Sequence, residues 1–135
     1  MKRSRIQTFY KEMYDLIREH KISDMVLYTY PDSLDHGGDS YVVVELPYSM
    51  RDMDISDYDV RTSYAKFSFF AKDRIYKTAR MPNIEELERM ADELYSLLPR
   101  RGSEFSMMSP RTVLMPKRAE THYHYMVINV PIVFD

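Results

Sequence analysis

Two imidazoles, His122 and His124, stand either side of a single tyrosine. On an extended chain that spacing puts both on the same side, the geometry of a two-point metal clamp. His36, with Asp35 and Asp39, could complete such a site in space, because zinc accepts nitrogen and carboxylate donors. Two histidines with no third ligand in the pattern fit a plainer reading better, that of partly exposed, hydrogen-bonded side chains. Asp52, Asp54, Asp57 and Asp59 gather four carboxylates within eight residues. Calcium takes several oxygen ligands from one loop, so the composition qualifies. The central glycine and closing glutamate of an EF-hand are missing, which favours a solvated acidic loop. Opposite in sign are Arg100, Arg101, Arg111, Lys117 and Arg118. They could meet phosphate, or the acidic stretch of a neighbouring copy. Phe105 is the single aromatic among them and no nucleic-acid-binding motif surrounds them, so specific nucleic-acid binding is not expected.

The catalytic inventory is thin. Glycine occurs only at positions 37, 38 and 102, so no glycine-rich phosphate loop exists. There is no G-x-S-x-G elbow and no H-E-x-x-H helix. Without cysteine there is no thiolate nucleophile, thiolate metal site or disulfide framework. The expectation is a protein that is not an enzyme and has no catalytic, cofactor or metal residues. The rival is a metal-dependent hydrolase built on His122, His124 and nearby carboxylates.

A length of 135 residues suits one domain, 1–135, with one core. The 12 tyrosines and 11 methionines suit contact surfaces, although they also serve as filler in a chain without tryptophan. A net charge of −2 gives no general attraction to nucleic acid. The basic start, MKRSRIQTF, lacks the apolar core of a signal peptide, and no apolar run is long enough to span a bilayer. A soluble, unanchored protein with no membrane partner is expected.

The clearest element is a helix over 83–98. Asn83 caps it, Glu86 is placed to complete a capping box, and Ile84, Leu87, Met90, Ala91, Leu94, Leu97 and Leu98 form one stripe. Pro99 and Gly102 end it. Residues 4–20 form a first helix capped by Ser4, with Ile6, Phe9, Tyr10, Met13, Leu16 and Ile17 on one face. Strands are expected at 25–30 and 40–46, paired as a hairpin across a loop of about nine residues. Residues 48–59 are irregular and acidic. From 64 to 71, Ala65, Phe67, Phe69 and Ala71 alternate with Tyr64, Lys66, Ser68 and Phe70, and the first set should lie under the second helix. Asp73-Arg74 should turn the chain before 75–78 lead into that helix. A strand at 111–115 is closed by Pro116. The last strand, 121–134, has its core face on Met126, Ile128, Val130, Ile132 and Phe134, and Pro131 should force it to a sheet edge or a bulge. The fold expected is α+β, a mainly antiparallel sheet of about four to five strands with two helices packed on one face. A Tyr-rich opposite face would be open for contacts.

Four stretches together resemble phage tail-terminator or tail-completion (head–tail joining) proteins: DSYVVVELP at 39–47, YAKFSFFAKD at 64–73, NIEELERMADELYSLLP at 83–99 and THYHYMVINVPIVF at 121–134. The family shares length, element order and a Val-rich strand ending near proline. The acidic segment 48–59 does not match its pattern. The resemblance implies a structural virion protein of the tail or neck, made in the bacterial host cytoplasm. It implies a homo-oligomeric ring, commonly a hexamer, that ends the tail tube and meets tail-tube and head-connector proteins. On that reading Asp52, Asp54, Asp57 and Asp59 face Arg100, Arg101, Arg111, Lys117 and Arg118 across subunit boundaries, as in head-to-tail assembly. The alternative is a small adaptor or regulatory module, monomeric or dimeric and without catalysis, that binds a protein through its Tyr-rich sheet face.

Overall fold

The computed structural model describes residues 5–28, 38–46, 62–110, 112–118 and 122–134, with side chains described throughout except at 5, 6, 62, 63 and 112–118. The elements run α1 (Arg5–Glu19), β1 (Val26–Leu27), β2 (Ser40–Glu45), β3 (Thr62–Lys72), β4 (Arg74–Tyr76), β5 (Ala79–Met81), α2 (Ile84–Ser96), β6 (Arg100–Arg101), β7 (Phe105–Met107), β8 (Thr112–Arg118) and β9 (Tyr123–Phe134). Seven strands form one mixed sheet in the order β1-β2-β3-β9-β7-β6, with β8 also paired to β9. β4 and β5 form a separate two-stranded sheet. The fold is α+β as expected, and its sheet is mixed and larger than four or five strands.

Alternation along the strands decides which face is buried. Val42 and Val44 of β2, Ala65, Phe67, Phe69 and Ala71 of β3, and Met126, Ile128, Val130, Ile132 and Phe134 of β9 all join one core cluster. Direct pairing puts Val42 opposite Phe69 and Phe69 opposite Met126, so the apolar rows of adjacent strands coincide. Both helices cover this face. Phe9, Met13, Leu16 and Ile17 of α1 and Leu87, Met90, Ala91 and Leu94 of α2 are buried against it. Full burial of a large apolar side chain contributes about 1.5–3 kcal/mol, so this stripe-on-sheet contact is the main stabilising term.

The opposite face is not an open tyrosine surface. Tyr41, Val43, Phe70 and Tyr123 form a second buried cluster there. Tyr41 stacks on Phe70 at 4.4 Å and Tyr123 meets Tyr41 edge-on at 5.5 Å. Tyr64, on the same side of β3, is exposed.

The start of α2 and the end of α1 are closed by identifiable groups. At the start of α2 the Asn83 side chain accepts from Glu86 N at 3.3 Å. The Glu86 carboxylate does not complete a capping box; it takes the Arg89 guanidinium, with Nη2 to Oε1 at 2.5 Å. At the end of α1, Lys21 N donates to Arg18 O and Ile22 N to Ile17 O. That pair of bonds is a Schellman ending, and Lys21 occupies its left-handed position with φ 54°. Arg89 then donates from Nη1 to Lys21 O (3.1 Å) and from Nη2 to Ile22 O (2.8 Å), pinning α2 to the end of α1. Ser4 lies outside the described residues.

Three pairings differ from expectation. β1 runs parallel to β2, with Val26 opposite Val42, so the two are not a hairpin. β8 extends through Pro116, because its register shifts between Leu114 and Lys117 and the proline falls in that irregularity. β9 is an interior strand despite Pro131, with β3 along one edge and β7 and β8 end to end along the other. Pro131 O accepts from Met108 N at 2.9 Å, so the proline's backbone polar groups point to the β7/β8 edge. There β7 ends its pairing at Ile132 and β8 begins at Asn129. The missing N–H therefore falls in the gap between two short strands and breaks no ladder.

Candidate interaction surface

The basic residues singled out above are dispersed by the fold. Arg100 and Arg101 make up β6, the end strand of the sheet, where both are exposed and Arg101 Nη1 donates to Ser106 Oγ at 3.0 Å. Lys117 and Arg118 pair with Tyr125 and His124 near the start of β9, whereas β7, the neighbour of β6, pairs with its last residues. Some eight residues of strand separate the two positions, roughly 25 Å. Arg111 and the acidic Asp52, Asp54, Asp57 and Asp59 lie outside the described residues.

The fold brings the histidine pair to a corner with Asp73, a residue whose sequence context marks only a turn. Asp73, just past β3, continues the helix-facing row of that strand and meets His124, with Nδ1 and Oδ1 2.6 Å apart. The Asp73 carboxylate is only 1 % exposed, and its Oδ2 has no hydrogen-bond partner among the described residues. Asp73 N also donates to His122 O at 2.6 Å, and Arg80 Nη2 lies 3.5 Å from His122 Nε2. The contact holds the His124 ring against the buried carboxylate. Among the described residues no group of three His, Asp or Glu side chains could hold a metal ion. Asp39 lines a cavity of about 450 Å³ with Asp73, while His36 and Asp35 lie outside the described residues.

Among the described residues, the most exposed large apolar side chains lie on the β4–β5 hairpin. Tyr76 pairs with Ala79, leaving Lys77-Thr78 as the two-residue loop, and Lys77 takes φ 57°. A two-residue loop with positive φ at its first position favours Gly there, so Lys77 gives no turn signal. Ile75 is 66 % exposed, Tyr76 64 % and Met81 48 %. Arg74, Lys77 and Arg80 lie among them and the hairpin holds no carboxylate. Arg74 is tied to Glu85 in the first turn of α2, at 2.6 Å. An isolated two-stranded hairpin is marginal in water. One showing three large apolar side chains has the character of a contact arm.

No helix among the described residues is long and apolar enough to cross a membrane. No protein-family model matches the chain, and a search of curated proteins finds no significant match.

Proposed function

We propose that this protein is a structural subunit of a phage tail, a tail terminator that assembles as a ring, ends the tail tube and meets the head connector. The observation that carries the reading is the basic, apolar β4–β5 arm standing clear of the core. A surface of that kind suits a subunit built to be covered. Both end strands of the sheet, β1 and β6, are only two residues long, and β6 is a pair of arginines. Short edge strands, and the charge on β6, discourage open-ended strand addition, which suits a closed assembly. The resemblance at 39–47, 64–73, 83–99 and 121–134 supports a phage tail as that assembly. The adaptor reading is less favoured because Tyr41 and Tyr123, on the sheet face it relies on, are fully buried.

Light scattering over a range of protein and salt concentrations tests the proposal. The expected result is a discrete ring-sized species, and Arg100→Glu with Arg101→Glu should weaken it while leaving the circular dichroism unchanged. A strict monomer or dimer at every concentration, unchanged by added tail tubes, would overturn the ring and restore the adaptor.

A further inference from the structure

We propose that the β4–β5 arm of one subunit docks on the outer face of α2 in the next copy of this chain. The inference rests on the ring reading and gives it a specific contact. The arm presents Ile75, Tyr76 and Lys77 at its tip, with its three cations and no carboxylate. The outer face of α2 presents the complement. Glu88, Asp92 and Tyr95 recur at spacings of four and three, so they share one exposed stripe. Arg89, the cation nearest that stripe, is turned away to Glu86 and the carbonyls of Lys21 and Ile22.

The ion pairs within the chain leave these two surfaces matched. Arg74 and Glu85 satisfy each other at the base of the arm. Arg80 lies against His122. Lys77 sits over its own Tyr76 ring at 5.6 Å and has no carboxylate partner among the described residues, and neither Glu88 nor Asp92 has a cationic partner among them. Tyr95 lies ten residues beyond Glu85 on the helix, about 15 Å from the turn that holds the arm's base. A second copy can therefore reach the stripe with its arm tip while each arm stays anchored to its own α2.

Arm and stripe are unlike surfaces on one chain, so their contact is heterologous and generates a ring when the rotation closes. Tyr76 and Tyr95 add aromatic area at the centre of the contact, where binding energy concentrates. The arm is an anchor within a larger interface, since a stable contact buries about 1,200–2,000 Å² in total.

The chain has no cysteine, which gives a clean background for cross-linking. Tyr76→Cys and Tyr95→Cys are placed in one chain and, separately, in two, and each is oxidised mildly. Head-to-tail docking predicts a ladder of covalent oligomers from the double variant, ending at the ring number. It predicts dimers alone from the mixed single variants and no product from either single variant by itself. Rings seen by light scattering without cross-linking would overturn this interface while leaving the ring reading intact. A closed covalent dimer as the sole product would overturn the head-to-tail geometry. Monomers throughout, with tail tubes added, would overturn both. If the cysteine variants fail to fold, charge exchange serves instead. Lys77→Glu and Asp92→Lys should each raise the concentration needed for assembly by about tenfold, and the combination should restore it. Failure of either change to weaken assembly would overturn the contact.

Discussion

Replacing Arg89 by alanine removes the link between the two helices, and its cost can be worked from the contacts. The Nη2 bond to Ile22 O, at 2.8 Å, is partly buried and has a charged donor. Such bonds contribute about 1.5–3 kcal/mol, and the lower end applies because the Arg89 side chain is 42 % exposed. The bond to Lys21 O and the ion pair with Glu86 are exposed, and together add about 0.5 kcal/mol. The total is about 2 kcal/mol. Unfolding entropy of roughly 2.1 cal/mol/K per residue, taken over 135 residues, converts this to a fall in Tm of about 7 °C. Thermal unfolding followed by circular dichroism measures it, with urea titration as a check on ΔG. Arg89→Lys keeps the charge but cannot fork between two carbonyls and a carboxylate, so it should recover less than half of the loss. A lysine variant as stable as the parent would refute the bridging argument, and so would an alanine variant whose Tm falls by less than about 2 °C.

Two further perturbations test packing and ionisation. In Gly102→Ala the new Cβ would lie 2.4–2.7 Å from three atoms of the Phe105 ring. That ring is buried, with centroids 5.2 Å from Phe9 and 6.2 Å from Phe134, so it cannot swing away and the variant should lose about 1–3 kcal/mol in urea unfolding. The Tyr28 hydroxyl, which donates to Tyr10 O, has its pKa raised above the ordinary 10.0 by burial and by the nearby Tyr14, Asp15 and Tyr10. The folded chain thus holds this proton more tightly than the unfolded chain. Its contribution is constant below pH 10 and is lost as pH rises through the raised folded value. Tyr28→Phe should flatten the alkaline limb of a stability–pH curve, and an unchanged limb would show that Tyr28 is not its source.

The two helices and the main core face were legible because their signals are local. The apolar spacing over 83–98 marks α2 to within two residues of its observed Ile84–Ser96, and the alternation over 64–71 identifies the side of β3 that the helices cover. The Asn83 cap was equally readable, since it needs only a side chain three residues from its donor. The carboxylate half of the expected box was not, because Arg89 competes for Glu86. The arm was missed for a comparable reason. Lys77-Thr78 lacks the residues that advertise a tight turn, and Ile75 to Thr78 read as a simple lead into the helix. Asp73 could have been placed at the histidine corner only by carrying the β3–β9 register one step beyond Lys72 and Tyr123.

By itself the sequence determined the α+β class, the helix stripes, the buried rows of β3 and β9, and a chain without cysteine chemistry. Those properties follow from helical and strand periods that any short window displays. Tertiary structure alone decided that β1 lies parallel to β2, that β9 is interior with Pro131 at the gap between β7 and β8, and that Arg100–Arg101 stand far from Lys117–Arg118. Strand partnership is set by the summed pairing of residues distant in sequence, and no single window contains both sides of that sum.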